Sequence, residues 1–409
     1  LADAYGRKRL FTWGVLVFTL GSLFSGLAPN IGLLIAARAL QGIGAGAVMP
    51  LTFTIIADFF DYSQRASIMA MNNTAWGLSA LIGPLLGGFL VDTLSWHWVF
   101  FVNVPLGVIV LVLIAMGYHE TLAQKKLQLD WAGIAWLAVT LIALLLAVQC
   151  LTTNGWWALG LLVVAIIGLG ALIRQERRAA DPLISPRLFT SRTFTIQIVS
   201  AAVLSGVLIA YQIYFPIWLQ SLYHFAATKA GLVVSSSSIM WLLSSFAVGW
   251  SLRHLVPKKL AMGVVSVQWL FYLVLVVSGR GFPAWGFYVV AAVNGAGMGL
   301  VISQNTILSQ HLAPEALVGS ATALLTLGRS LGQTVMTGVY GAVLNLVLAA
   351  KRGQVSEAAL NQAVAGHASS PQTQAVLLSA LHAVFIGVLV LLASVWVLNW
   401  RDPNHKVIQ

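Results

Sequence analysis

Long apolar runs separated by short polar segments organise the whole chain. A helix needs about 20 mostly apolar residues to cross a hydrocarbon core of roughly 30 Å. Runs of this kind, almost free of charged side chains, lie at residues 10–28, 32–57, 66–91, 97–117, 131–149, 156–173, 193–219, 230–250, 260–279, 283–308, 317–349 and 375–399. They are longer than the alternating segments of about ten residues that build a membrane β-barrel. The pattern predicts an all-α integral membrane protein with twelve spans in this chain.

Composition excludes a water-soluble fold. Hydrophobic residues make up 59% of the chain and charged residues only 8%, whereas a soluble domain carries roughly 25% charged residues. So few charges could not cover the surface of a globular protein of this size. The expected partner of most of the surface is therefore the lipid bilayer.

Basic residues are distributed unequally between the two sides of the predicted membrane protein. Sixteen of the 22 Lys and Arg residues fall in loops on the side that precedes the first span. The opposite side holds four, which are Lys229, Arg280, Lys351 and Arg352. Lys and Arg accumulate in cytoplasmic loops, so this bias predicts that the first loop is cytoplasmic. The net charge of +11 thus indicates topology and not a nucleic-acid partner.

An internal repeat links the second and tenth spans at an offset of 253 residues. Residues 41–46 and residues 294–299 each contain an amide followed by glycines at alternate positions. Transporter folds are commonly built from related halves, and chance similarity is the alternative for so short a match. The repeat favours a two-fold related architecture.

The first loop, residues 1–9, carries a charged turn that resembles the loop signature of the major facilitator superfamily. The positions that match the signature are Asp3, Gly6, Arg7 and Lys8. Its opening glycine would precede Leu1, and its usual basic residue after the aspartate is Ala4 here. A glycine permits a tight turn between two spans, and an aspartate favours a helix N-terminus. The alternative is an ordinary basic cytoplasmic loop.

The second span contains Arg38, Gln41 and Gly42 in an arrangement that resembles the buried-arginine motif of the same superfamily. A guanidinium inside the membrane is costly unless protein groups or a wet cavity satisfy it. Arg38 is therefore a functional candidate. A structural charge bonded to backbone carbonyls is the alternative.

The third span resembles the antiporter motif of the superfamily, with Ser79 where the first glycine usually stands. The matching positions are Gly83, Pro84, Gly87 and Gly88. Small residues at 79, 83 and 87 share one helix face and would let another helix approach closely. Pro84 removes one backbone hydrogen bond, so it can bend the helix. Within the superfamily the motif implies an exporter, and static packing is the alternative.

Two further segments, residues 96–105 and 181–189, resemble the drug:proton antiporters with fourteen spans. The resemblance implies that two spans precede Leu1 and that fourteen spans divide into six, two linker spans and six. The expected organisation is an N-terminal bundle at residues 1–117, a linker with two extra spans at 118–192 and a C-terminal six-helix bundle at 193–409.

Polar and aromatic side chains inside the spans predict a substrate cavity between the halves, near the membrane midplane. The candidate lining residues are Asn72, Asn73, Trp76, Tyr211, Gln212, Tyr214, Asn294, Gln304, Asn305, Arg329 and Gln333. The offset of 253 pairs Trp76 with Arg329, which suggests that both face one cavity. Ordinary packing is the alternative.

Titratable groups that could carry a coupling proton are scarce. None of the 11 acidic residues lies in the middle of a span. Asp92 and His382 are the local candidates, each with a structural role as the alternative, and related antiporters often use an acid in a first helix that we expect upstream of Leu1. The eight histidines form no ligand-like spacing. We therefore expect no enzyme site, metal or cofactor.

The resulting interpretation is a secondary transporter that exports drugs or other hydrophobic or amphipathic molecules by proton antiport. A metabolite exporter or importer of the same fold is the alternative, and a membrane protein without transport activity is a third. Small organic substrates, protons and optionally a periplasmic adaptor protein are the implied partners. The expected location is the inner (plasma) membrane of a bacterium.

Overall fold

The computed structural model describes eight stretches of the 409-residue chain, which are residues 6–59, 62–118, 130–151, 154–178, 186–279, 281–314, 317–351 and 370–404. Within the helices, side chains are not described at residues 50, 53–54, 57–59, 62–67, 69–70, 72–74, 76–77, 80–81 and 319. Among the predicted site residues, Asp3 and the side chains of Asn72, Asn73 and Trp76 fall outside the described part.

Helices account for the regular structure of the described residues, which contain no strand. They are α1 Arg7–Gly26, α2 Ile31–Phe59, α3 Tyr62–Thr93, α4 Trp98–Phe101, α5 Asn103–Gly117, α6 Trp131–Cys150, α7 Gly155–Glu176, α8 Arg192–Tyr223, α9 Ala227–His254, α10 Pro257–Val277, α11 Ala284–Leu312, α12 Val318–Ala350 and α13 Pro371–Trp400. A short 3-10 turn, Pro186–Thr190, precedes α8. The all-α membrane fold predicted from the sequence is confirmed.

Each predicted span coincides with helix in the structure. Eleven helical segments among the described residues are long and apolar enough to cross a membrane, and the end of α3 adds a shorter apolar segment, Ile82–Thr93. The predicted span 97–117 comprises α4 and α5, separated at Val102. Pro105 lacks the N–H that would bond the carbonyl of Phe101, which explains a break at this place. The Asn103 side chain donates to the Val99 carbonyl beside the break at 3.3 Å.

Polar side chains mark the beginnings of four helices. Asp130 caps α6 by accepting from the N–H of Gly133 at 2.9 Å, and Asn154 caps α7. Ser191 and Ser370 cap α8 and α13 in the same way. Each cap satisfies an N–H group that the helix itself cannot pair. The short polar segments between apolar runs thus fix where the spans begin.

The chain forms two compact units, Leu1–Leu129 and Asp130–Gln409. The first contains α1 to α5, and the second contains α6 to α13. The predicted linker spans, α6 and α7, pack against each other, and α6 also contacts α12. The division into segments 1–117, 118–192 and 193–409 stays a prediction.

In the first unit, α1 packs along α2 at close range. A Cβ atom on Gly44 would overlap the backbone of Phe18, and one on Gly21 would lie 2.6 Å from the Cα of Gln41. Glycine at these two positions therefore permits the approach of the helices. Gly26 receives the ring of Phe101, which brings α4 against the end of α1.

In the second unit, α8 and α10 to α13 enclose an aromatic core. Tyr211, Phe215 and Trp218 of α8 are almost completely buried, with Phe287 of α11 and Phe385 of α13 around them. Helix α9 packs most extensively against α11.

The sequence repeat has a structural counterpart in the helices that carry it. Helix α2 and helix α11 each contain 29 residues, and their first and last residues correspond at the offset of 253. The amide at equivalent positions bonds a hydroxyl of the preceding helix in both cases. Gln41 Nε2 donates to Ser22 Oγ at 2.6 Å, and Tyr272 OH donates to Asn294 Oδ1 at 2.8 Å. The two repeat-containing helices therefore have the same length, and in both the amide forms a hydrogen bond with a hydroxyl of the preceding helix, with Gln41 as donor and Asn294 as acceptor.

Candidate functional site

The loop motif ends in a turn that requires glycine. Gly6 precedes α1 with φ at 96°, a backbone conformation that side-chain-bearing residues rarely adopt. Its carbonyl accepts from the N–H of Leu10 at 3.1 Å. Lys8 Nζ lies 3.5 Å from the carbonyl of Ala115, in the last turn of α5. A cation at a helix C-terminus is favourable, so the motif connects the start of α1 with the end of α5.

Arg38 is held by a relay of side chains within the first unit. Its Nη1 atom donates to Gln41 Oε1, and Gln41 donates to Ser22 of α1. The guanidinium also lies over the ring of Phe100, 5.7 Å from the ring centre. Gln41 is buried and Arg38 is exposed within the described residues. The relay fixes an accessible positive charge on α2. A Cβ atom placed on Gly42 meets no described atom within 4 Å.

The antiporter motif lies entirely within α3. Pro84 stands inside this helix, as the sequence pattern predicts. A Cβ atom placed on Gly83 or Gly87 meets no described atom within 4 Å, while Gly88 is buried. The approach of a second helix at these glycines stays a prediction.

The structure divides the predicted lining residues of the second unit into two groups. Tyr211 and Asn294 are each 1% exposed, so they belong to the interior of the helix bundle. Asn294 accepts from Tyr272 on α10 and donates to Ser237 on α9 at 3.4 Å. Tyr211 makes longer contacts of 3.5 Å with the carbonyl of Val233. These side chains connect α8, α9, α10 and α11 to one another.

Gln304 and Asn305 lie in a buried polar cluster near the end of α11. Both side chains have no exposed surface. In the orientation that satisfies its amide, Asn305 donates to Gln197 Oε1 of α8 at 2.7 Å. The amide atoms of Gln304 have no hydrogen-bond partner among the described residues. Buried polar atoms of this kind are commonly paired by ordered water.

The accessible group comprises Gln212, which is exposed, and Arg329 and Gln333, which are half-buried. Arg329 Nη2 on α12 donates to the carbonyl of Ile302 at 3.0 Å and to Thr306 Oγ1 at 2.6 Å, both on α11. This pair of bonds fixes the guanidinium beside the accessible face of α12. The proposed partner of Arg329, Trp76, belongs to the other unit, so a shared cavity stays a prediction.

Sequence patterns gave no indication of a buried carboxylate at the end of α13. Asp402 is only 2% exposed. Its Oδ1 atom accepts from Thr193 Oγ1 at 2.7 Å and from the N–H of Asn404 at 2.9 Å, and its Oδ2 atom accepts from Gln197 at 3.3 Å. Lys258 Nζ donates to the Asp402 carbonyl at 3.0 Å. Because the side-chain donors are more than 140 residues away along the chain, only the position of Asp402 directly after a span could have drawn attention to it.

The two titratable candidates for proton coupling differ in their surroundings. His382 on α13 is half-buried. Its Nε2 atom lies 3.0 Å from the Ser278 carbonyl, and its ring is 5.5 Å from that of Trp218. Asp92, near the end of α3, is exposed. Neither position identifies a proton pathway, and both roles stay predictions.

Sequence comparison identifies the family. The sequence profile of the Major Facilitator Superfamily matches residues 1–337. Multidrug resistance protein 3 of Bacillus subtilis (strain 168) is 37% identical over 253 residues, which are 61% of this chain and 49% of that protein. The multidrug transporter protein MdtP of the same strain is 31% identical over 349 residues, covering 84% of this chain and 64% of that protein. The chain thus spans about half to two thirds of the length of these relatives.

A third relative and two solved structures agree with this assignment. The multidrug efflux pump SdrM of Staphylococcus aureus (strain N315) is 27% identical over 82% of this chain and 77% of its own length. A crystal structure of the peptide transporter POT gives a TM-score of 0.65 at 18% identity, over 98% of this chain and 82% of that chain. A bacterial homologue of the human lysosomal transporter Spinster gives 0.65 at 14% identity, over 98% and 83%. Because the sequence identities are so low, the two solved structures support the fold and carry no information on function.

The apolar helices, the loop motif around Gly6 and the matched profile agree with one another. The chain is a multi-pass membrane protein, and its family and relatives are transporters, not enzymes. By its sequence and by its fold, the chain belongs to the major facilitator superfamily.

Proposed function

We propose that this protein exports drugs or other hydrophobic and amphipathic organic molecules by proton antiport with alternating access. The observation that carries the proposal is the similarity to a multidrug transporter over 84% of the chain. A second multidrug relative, at 27% identity, supports the same assignment. Because both relatives are bacterial, the proposed location is the plasma membrane of a bacterium.

The chemistry of the accessible residues supports amphipathic substrates. Gln212 on α8 and Gln333 on α12 offer amide groups, and Arg329 offers a fixed positive charge. The surrounding surfaces of these helices are largely apolar. Sites for small organic molecules combine mostly apolar walls with a few polar groups that orient the ligand. In the proposal, the motifs around Gly6, Arg38 and Pro84 take part in the conformational change of alternating access, within an arrangement of fourteen spans.

Transport into inside-out membrane vesicles tests the proposal. Vesicles that contain the protein and have an acidic lumen are expected to accumulate the neutral amphipathic dye N-phenyl-1-naphthylamine against its gradient, because proton exit would drive dye entry. The protonophore carbonyl cyanide m-chlorophenylhydrazone is expected to abolish the accumulation. Accumulation that persists without a pH gradient would exclude proton antiport. Uptake in right-side-out vesicles but not in inside-out vesicles would identify an importer.

Arg38 provides the mutational test of the mechanism. Arg38→Ala is expected to lower pH-driven N-phenyl-1-naphthylamine accumulation at least about tenfold, because the membrane-embedded charge and its relay to Gln41 are lost. The measurement is initial accumulation rate per amount of inserted protein, determined by immunoblot. Arg253→Ala serves as the control, since Arg253 is exposed at the end of α9. A normal rate for the Arg38 variant would refute the assigned role.

A further inference from the structure

Arg329 is a positive charge without an acidic counterpart in its helix bundle. It follows Val318, the first residue of α12, by 11 positions, which places it about 16 Å along the helix. The sequences of α8 to α13 contain neither Asp nor Glu. Arginine stays protonated at neutral pH. The charge at Arg329 is therefore a permanent feature inside a predicted span.

Neutral protein groups hold this charge in a defined orientation. The Thr306 hydroxyl donates its own proton to the Ile302 carbonyl at 2.9 Å. Its oxygen is therefore left to accept from Arg329 Nη2 at 2.6 Å, while the Ile302 carbonyl accepts from the same atom at 3.0 Å. These contacts use one nitrogen of the guanidinium. The Nε atom of Arg329, which is buried, has no hydrogen-bond partner among the described residues.

A neutral donor lies beside the guanidinium on the same face of α12. Gln333 follows Arg329 by one helical turn, so the two side chains are neighbours. Gln333 is half-buried. By contrast, the Thr326 and Thr334 hydroxyls donate to carbonyls of their own helix, at 2.9 and 2.7 Å. The face at Arg329 thus presents a cation together with an amide.

From this arrangement we infer that Arg329 recognises the anionic group of an amphipathic substrate, such as a sulfonate or carboxylate. In this inference Thr306 positions the guanidinium of Arg329. The inference rests on the proposed transport function and specifies the substrate class. An anion that reaches the guanidinium gains charge-assisted hydrogen bonds from it. A cationic drug would meet repulsion from a charge that no Asp or Glu within α8 to α13 offsets.

Two fluorescent probes that differ by one sulfonate test the inference. 1-Anilinonaphthalene-8-sulfonate is the anion, and N-phenyl-1-naphthylamine is its neutral counterpart. The protein in dodecyl maltoside is expected to bind the anion more tightly, and Arg329→Gln is expected to lower the anion-to-neutral affinity ratio about tenfold. Arg329→Lys is expected to retain part of the preference, because the charge remains without the planar fork. An unchanged ratio in Arg329→Gln would overturn the inference.

Matched variants separate recognition from general effects of charge and packing. Lys351 directly follows the last residue of α12 and bonds Ser379 on α13. Lys351→Gln removes this cation and is expected to leave the affinity ratio unchanged. Thr306→Val is expected to lower the ratio, and Thr306→Ser to restore it. Thr334→Val removes a hydroxyl that bonds within α12 and is expected to have no effect. A comparable fall in Lys351→Gln or Thr334→Val would contradict a specific site.

Flux measurements distinguish this inference from the proposed function and from lipid binding. If the neutral probe is transported but the anion-to-neutral affinity ratio does not depend on Arg329, the proposed export function is supported and the anion site is refuted. A preference that depends on Arg329 but is accompanied by no flux of either probe would refute export and support the site as a binding site. If phosphatidylglycerol abolishes anion binding and no anion flux occurs in liposomes, the site belongs to a lipid headgroup, which overturns the substrate assignment.

Discussion

At the scale of single residues, polar side chains inside the spans serve two different purposes. Some connect helices, as Asn294 does through Tyr272 and Ser237. Others, such as Gln212 and Arg329, remain accessible. Polar groups within a membrane require partners, which the connecting side chains find on neighbouring helices. A polar residue within an apolar run therefore identifies a candidate, and its neighbours decide the role.

Asp402 shows how strongly a buried charge depends on such neighbours. It accepts hydrogen bonds from Thr193 and Gln197 of α8 and from the N–H of Asn404. Lys258, next to the start of α10, bonds its carbonyl. The cluster therefore connects the ends of three helices around one carboxylate. A hydrogen bond to a charged group contributes about 1.5–3 kcal/mol.

Thr193→Val is expected to lower the free energy of unfolding by about 2 kcal/mol, because Asp402 loses a donor in a buried place. Thr193→Ser keeps the hydroxyl and is expected to cost less than about 0.5 kcal/mol. Both values can be measured by denaturant unfolding of the protein in detergent. A destabilised Thr193→Ser together with an unaffected Thr193→Val would show that the methyl group matters and the hydrogen bond does not.

At the scale of helices, small residues decide how closely two spans approach. In α11, Gly295 faces the carbonyl of Ser237 and Gly299 faces that of Trp241, so α9 and α11 lie in direct backbone contact. In α2, Gly44 faces the backbone of Phe18 on α1. Gly297 is the residue equivalent to Gly44 in the other copy of the repeat. It faces the side chain of Gln268 on α10 and not a helix backbone. The repeat preserves glycine and an amide, while the contacts differ.

Gly295→Ala is expected to destabilise the protein by about 1–3 kcal/mol, because the new methyl group would overlap the Ser237 carbonyl. Gly263→Ala in α10 is the matched control, since its Cβ meets no described atom within 4 Å. This second change is expected to stabilise the helix by about 0.5–1 kcal/mol. Unfolding in detergent measures both. Shifts of the same sign would contradict the packing described for α9 and α11.

At the scale of the whole molecule, the distribution of apolar surface agrees with a chain surrounded by lipid. In the 18-residue membrane-spanning window of Trp98–Gly117, only 6% of the residues are buried within the protein, and in that of Gly155–Glu176, 22%. By contrast, 67% are buried in the window of Arg192–Tyr223, a span of the second unit. All three are apolar enough to cross a membrane, so the prediction of a span from hydropathy does not by itself separate lipid-facing helices from central ones.

The predicted topology can be tested with cysteine labelling, because Cys150 is the chain's single cysteine. In a Cys150→Ser background, Gly281→Cys is expected to react with a membrane-impermeant maleimide in intact cells. Arg178→Cys is expected to react only after the cells are opened, since basic loops remain in the cytoplasm. The two sites are matched in exposure. The opposite pattern would reverse the orientation of every span.

The candidate site was predictable only in part. The motif positions Gly6 and Pro84 follow from residue type, because a positive φ requires glycine and proline lacks an N–H. Thr306 and Asp402 were missed, since their importance arises from contacts with side chains on other helices. Such contacts leave no periodic signal along the chain.

The amino-acid sequence by itself determined the helical membrane fold, the approximate bounds of the spans and the family. The physical reason is that the bilayer imposes a fixed apolar length and requires internally paired backbone groups. Only the tertiary structure decided that Asn294 is an internal connection and that Arg329 is held by Thr306 at an accessible surface. Those roles depend on which helix faces each side chain, and helix neighbours are set by packing across distant parts of the chain.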